Sequence, residues 1–237
     1  MKRLILAAGL LLASASGAWA KDELVGVTRA SGERFNYVLT SHDAAQVRYG
    51  VILMPGGRGI LDPHMEGSKI AMSLAGNFLI RSRELFAGGA FVAASTDATT
   101  SPDRILAIAA DLQKRYGAIA IYVIGTSRST DSTMALSRPL DGQVAGFVHT
   151  SSMNGIATLD PRGLKSRHLL VLHKNDACRV TQPANAVASH NRYGTELIEV
   201  EGGKSVGDDC EARAYHGYNG IERETVDKIK AWIQAGK

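Results

Sequence analysis

The sequence predicts an α/β fold in which a mostly parallel central sheet carries helices on both faces. Three observations predict it. Short runs of Val, Ile, Leu and Ala recur along the chain, bounded by Gly, Pro, Asn or Asp. Segments with helical patterning alternate with them. The runs are apolar on successive residues, as strands covered on both sides must be. With 237 residues, 45% hydrophobic and 21% charged, the chain is long enough to bury one sizeable core. No repeat, low-complexity tract or Pro/Ser-rich linker divides it, so residues 21–237 read as a single domain.

Residues 1–20 read as a signal peptide. Lys2 and Arg3 form a charged start, residues 4–15 an apolar stretch, and Ala18-Trp19-Ala20 the small-x-small pattern that a signal peptidase cuts. The apolar part is shorter than the ~20 residues a membrane-spanning helix needs, which disfavours an uncleaved anchor. A secreted or periplasmic protein is therefore expected, with no membrane partner after cleavage. Without Lys2 and Arg3 the chain has 25 basic against 23 acidic side chains, a net charge of +2. No basic cluster with interleaved aromatics occurs, so no nucleic-acid partner is expected despite a pI of about 9.1. The two cysteines, Cys178 and Cys210, form an even pair in an exported chain, and a disulfide between them is expected.

In order, residues 23–30 and 34–41 have β-like patterns. Residues 49–54 (YGVILM) form an apolar run that stops at Pro55-Gly56-Gly57, followed by a helical pattern over 77–87. Residues 90–95 (AFVAAS) make a short strand. Ser101-Pro102-Asp103 starts a helix, with Pro in its first turn and an acid beside it, and Gly117 ends it. Strand 119–124 (IAIYVI) precedes Gly125-Thr126-Ser127-Arg128-Ser129 and a helix to about 137. Strands 144–150 and 167–173, helix 183–193, strand 196–201 and an amphipathic helix over 221–234 complete the chain. In such sheets functional side chains gather in the loops beyond the carboxyl ends of the strands.

The segment from Gly125 to Ser129 lies between a strand and a helix. There a G-x-S-x-G-like pattern acquires meaning, because a sharp turn presents the serine hydroxyl and small neighbours let helix and strand approach. The same residues also suit a plain helix cap, since Ser127, Ser129 and Thr130 are all cap formers. A serine hydroxyl is a weak nucleophile that needs a base, itself oriented by an acid. Strand 167–173 runs into Asp176, and His216 stands in the loop before the last helix, so the chain order is Ser, Asp, His, each following a strand.

On these residues the chain resembles the α/β-hydrolase superfamily, over roughly residues 23–234. The resemblance implies the α/β-hydrolase fold, Ser127 as nucleophile, Asp176 as acid and His216 as general base and acid. Residues 54–57 (Met-Pro-Gly-Gly) resemble the oxyanion loop after the third strand. The implied oxyanion donors are the backbone N–H of Arg128 and that of Gly57 or Arg58; Pro55 has no N–H to give. The departures are Ser129 in place of the second glycine and Pro55 in place of histidine. A bridge between Cys178 and Cys210 would tie the acid's loop to the base's loop.

Asp97, in a turn after a strand, and Asp160, in a loop, are the alternative acids to Asp176. His149, at a strand end by the rim, reads as a buried structural histidine with a substrate contact as the alternative. His173 at a strand end and His190 within a helix read as structural, and Arg81, Arg83 and Glu84 as a solvated helix face. The turn 55–59 lacks a phosphate-loop pattern, and no metal-ligand spacing or cofactor motif occurs. Only residues 151–166 separate the sixth and seventh strands, too few for a lid, so an open cleft is expected. Met54 and Met153, with Ile60 and Leu61, are expected to line its apolar part, and Arg58 or Arg128 its rim. The expected function is hydrolysis of a carboxylic ester, small or at a polymer end, through an acyl-enzyme and without cofactor. An acyltransferase or peptidase on the same three residues, and a non-catalytic binding protein of the same fold, are the alternatives.

Overall fold

The computed structural model describes residues 20–42 and 46–236. All of the expected leader except Ala20 lies outside the described residues. The first elements are strands β1 (Lys21–Thr28), β2 (Arg34–Ser41) and β3 (Tyr49–Met54), then a hairpin of β4 (His64–Glu66) and β5 (Lys69–Ala71). Short helices α1 (Phe78–Arg81) and α2 (Arg83–Phe86) lead to β6 (Phe91–Ser95), α3 (Pro102–Tyr116) and β7 (Ala120–Thr126). There follow α4 (Ser129–Ser137), β8 (Gly146–Thr150), β9 (Arg167–His173), α5 (Pro183–Tyr193), β10 (Glu196–Val200) and α6 (Glu222–Ala235). Two 3-10 turns, Asn154–Thr158 and Tyr215–Gly217, complete the set.

Eight strands form one sheet in the order β1-β2-β6-β3-β7-β8-β9-β10. β2 runs antiparallel to β1 and β6, whereas β6, β3, β7, β8, β9 and β10 are mutually parallel. Side chains alternate across the strands, which is why one sequence run feeds two cores. Ile52 and Met54 of β3 pack with Ile105, Ile108 and Leu112 of α3 and Leu136 of α4. Val51 and Leu53 pack on the other face with Phe78, Phe86 and the Val226, Ile229 and Ile233 stripe of α6. Successive apolar residues are thus buried on opposite sides, as the uninterrupted runs foretell.

Three expectations change. The helical pattern over 77–87 is two short helices broken at Ser82, and the β4–β5 hairpin has strands too short to leave a period-2 signal. Arg81 and Arg83 are not solvated: Arg81 pairs with Glu222 at 2.9 Å and Arg83 with Asp22 at 2.6 Å, fastening α1 and α2 to α6 and β1. The strand before Ser127 also continues through Gly125 and Thr126, so the turn begins at the serine itself.

A polar pair lies buried in the sheet. His149 Nδ1 is 2.7 Å from Thr133 Oγ1, and its Nε2 is 3.2 Å from His168 Nδ1. Thr133 also donates to Thr130 O, so one consistent neutral assignment has each imidazole N–H pointing toward Thr133 along this chain. Burial holds the His149 imidazole well below the usual histidine range and lowers His168 to about 4, against a weaker opposite pull from Asp141. Between pH 6.5 and about 4 the unfolded chain therefore binds a proton at residue 168 that the folded chain refuses. Stability is full above pH 6.5 and falls as pH drops through that window, by about 3 kcal/mol for His168 alone. Urea titrations from pH 7 to 4 should show that slope, and His168→Gln should reduce it, leaving the share of the still buried His149. Equal slopes in both proteins would refute the assignment.

Candidate active site

The position of Ser127 is prepared by close packing. Gly125 allows no side chain, since a Cβ there would stand 2.6 Å from the carbonyl oxygen of Ser129. Gly56 allows none either, because its Cβ would meet Ser127 Cβ at 2.9 Å. Between them Ser127 adopts φ 54°, a left-handed conformation that costs a non-glycine residue of order 1–3 kcal/mol. Its N–H donates to Thr150 O at 3.0 Å, and the chain enters α4 directly afterwards. Ser129, which replaces the usual glycine, is buried and donates its hydroxyl to Pro55 O. The substitution is therefore a tie between α4 and the 55–59 turn.

That turn is braced from behind. Asp97, one of the weighed acids, accepts from Leu61 N at 2.6 Å and Asp62 N at 2.9 Å and pairs with buried Arg104 at 2.7 Å. It holds the loop and is committed elsewhere. Among the described residues no hydrogen bond uses the backbone N–H of Gly57, Arg58 or Arg128. All three residues line the cleft that exposes Ser127.

His216 sits in the Tyr215–Gly217 turn and is 6% exposed. Ser151 Oγ donates to its carbonyl at 2.7 Å, and Arg81 Nη2 donates to Gly217 O at 2.5 Å. Ser151 N–H donates to the Tyr218 hydroxyl, which in turn donates to Val171 O, both at 2.8 Å. These bonds pin the histidine's backbone to β8, β9 and α1. His173 stacks on Tyr215 at 4.7 Å and contacts Gly202 O at 3.0 Å, the structural role expected for it.

Asp176 follows β9 in a tight turn. Its Oδ1 accepts from Cys178 N at 2.9 Å, and its Oδ2 lies 3.0 Å from His216 Nδ1. Thr181 completes a triangle: its hydroxyl donates to Asp176 Oδ2 at 3.1 Å and lies 3.1 Å from the same Nδ1. With the hydroxyl proton on the carboxylate, its lone pair faces Nδ1–H, so two acceptors hold one proton on that nitrogen. Nε2 is then the basic nitrogen. The Asp176 side chain is 1% exposed, which shields this contact from water.

Ser127 and His216 line the same cleft, of about 610 Å³. Among the described residues Ser127 Oγ makes no hydrogen bond to the imidazole. Such contacts are commonly long before substrate binds and tighten in the reacting complex. Asp176, Cys178 and His216 present ligand-type atoms within 4.8 Å of one another, but the sulfur of Cys178 is bonded to Cys210 and offers no thiolate to a metal.

The expected cleft wall is partly revised. Met153 lines it, held by its N–H on Thr130 Oγ1 at 3.0 Å. Met54 does not: it is fully buried among α3-side core residues, because its place on β3 turns it away from the rim. Leu61 is likewise core, and Ile60 faces solvent at 54% exposure outside the cleft. Leu74, Phe78 and Val180 supply the apolar wall instead. Thr181, Ser151 and Arg81 carry no motif in a single sequence; only the fold brings them to the site. His149 is buried at its Thr133 and His168 contacts, away from any substrate.

No family model and no curated protein sequence matches this chain. Solved structures do. A lidless α/β serine hydrolase from Xanthomonas campestris shares 9% identity over 88% of this chain and 95% of its own, with a TM-score of 0.57. An esterase domain from Rhodothermus marinus shares 12% over 90% and 97%, TM-score 0.59. A cold-adapted esterase from an Arctic intertidal metagenomic library shares 11% over 92% and 95%, TM-score 0.61. The chain has the α/β-hydrolase fold.

Proposed function

We propose that this protein is an exported serine hydrolase acting on carboxylic esters. One observation carries the reading: the left-handed Ser127 opens onto the same cleft as His216, whose Nδ1 is held by a buried carboxylate 3.0 Å away. In this reading Ser127 Oγ attacks the ester carbonyl carbon while its proton passes to His216 Nε2. The carbonyl oxygen, now an oxyanion, is received by the N–H of Arg128 and that of Gly57 or Arg58; each such donor is worth about 2.7–4 kcal/mol in the barrier. His216 then protonates the departing alkoxide, leaving an acyl group on Ser127. Water attacks that acyl group, giving its proton to His216, and the acid is released as the serine regains its proton.

Asp176 stabilises the imidazolium at each passage and fixes its tautomer. The residues ask for no cofactor. Export is supported by the Cys178–Cys210 bridge, since such bonds persist in oxidising compartments. No helix among the described residues is long and apolar enough to cross a membrane.

A fluorophosphonate probe tests the reading. One equivalent should attach, the modified peptide should carry the mass on Ser127, and hydrolysis of short 4-nitrophenyl esters should stop in proportion. An intact protein that neither labels nor turns over any ester of the panel would place it among non-catalytic members of the fold.

A further inference from the structure

Among the described residues, the lining of the cleft contains two arginines, Arg58 and Arg128, and no carboxylate; Asp176 lies behind His216, outside the lining. Some other arginines meet an acid, among them Arg81 with Glu222, Arg83 with Asp22, Arg104 with Asp97 and Arg167 with Glu196, while others such as Arg34 and Arg223 form no ion pair among the described residues. Arg58 and Arg128 meet none, and both are exposed. The nearest acids in sequence to the cleft lining are Asp208, Asp209 and Glu211, which flank Cys210; Asp208 accepts from Cys210 N at 2.9 Å.

The placement of the two arginines is specific. Each carries on its own backbone one of the N–H groups proposed to receive the oxyanion, so both side chains start beside the reacting carbonyl. Arg128 also stands at the N-terminus of α4, where the helix dipole adds positive potential. Leu74, Phe78, Met153 and Val180 supply the apolar wall, with Asn77 and Thr126 as neutral polar residues of the same lining. A cleft with apolar sides and two unpaired guanidinium groups near the reacting bond favours a substrate of matching form: a short apolar segment ending in an anion.

We propose that the natural substrate is an ester bearing a carboxylate on a short acyl or alcohol chain, recognised by Arg58 and Arg128. This rests on the hydrolase reading and narrows it. Guanidinium suits carboxylate because its planar fork donates two parallel hydrogen bonds. The pair is exposed, so the gain is modest and salt-sensitive.

The test compares two 4-nitrophenyl esters of equal acyl length, the neutral valerate and the anionic hemiglutarate. At low salt the wild type should favour the hemiglutarate by about tenfold in kcat/KM, and the ratio should shrink at high salt. Arg58→Gln combined with Arg128→Gln should bring the ratio to about one. A wild type that prefers the valerate, or a double variant that keeps the preference, overturns the proposal. Binding of glutarate monoamide, followed by ligand-observed NMR, separates this from the hydrolase reading. Arginine-dependent binding without turnover of either ester would keep the anion site and reject the hydrolase. Turnover without an anionic preference would do the reverse.

Discussion

Ser127→Ala should lower ester turnover by roughly 10⁶-fold, His216→Ala by a similar factor, and the double variant by no more than either alone. The reason is that the two groups act in one step. Once the hydroxyl is gone the imidazole has no proton to take, and once the imidazole is gone the hydroxyl stays protonated. What survives is the contribution of the backbone donors and of binding, roughly 10³–10⁴ over water. Asp176→Asn should cost about 10⁴, because an amide nitrogen turned toward Nδ1 would favour the wrong tautomer. Thr181→Val should cost far less, about fivefold, since it removes one hydrogen bond and leaves the 3.0 Å carboxylate contact in place. Steady-state kinetics give the five numbers, and circular dichroism and thermal melts check that each variant is folded. Losses that multiply in the double variant, or a Ser127→Ala or His216→Ala variant keeping a tenth of wild-type rate, would break the proposed unit.

The gradation also shows where sequence reading stops. The sheet was legible because its strands are buried on both faces: apolar runs such as 49–54 and 119–124 allow little else, and chain order then places Ser127, Asp176 and His216 at strand ends. Met54 shows the converse limit: a strand residue's face follows from period-2 register, which a single apolar run does not reveal, and the register turns this side chain into the α3-side core rather than the cleft. Arg81 read as solvated because its partners, Glu222 and Gly217, lie more than 130 residues away in the chain. Ser129 read as a blemish in a glycine pattern until the carbonyl of Pro55 came into view. Local signals name the candidate reacting groups, whereas the groups that hold them are chosen by tertiary contact.

Replacing both Cys178 and Cys210 by alanine should lower the melting temperature by about 10 °C and reduce turnover severalfold even where the variant is fully folded. The stability part follows from the loop: cysteines 32 residues apart give roughly 3–4 kcal/mol in the chain-entropy model, and a domain of this size moves about 2–4 °C per kcal/mol. The activity part follows from where the bridge is anchored. Cys178 is fully buried and gives its N–H to Asp176 Oδ1, while Cys210 is exposed on the cleft rim, in a loop exposed from residue 201 to 211. Its other tethers lie mostly near its start: His173 Nε2 to Gly202 O at 3.0 Å, Lys174 Nζ to Glu201 Oε2 at 3.2 Å, Lys204 N to Asn219 O at 2.9 Å and Asn219 Nδ2 to Lys204 O at 3.1 Å, with Val206 N to Arg213 O at 3.0 Å further along. Without the bridge, motion of the loop reaches His216 through the chain and the acid through its own turn. Kinetics well below the melting point discriminate: a purely stabilising bridge would leave kcat at the wild-type value there. A wild-type melting temperature, or thiols that react in the native protein, would remove the bridge from the account, and the long loop would need another restraint to hold its imidazole in the cleft.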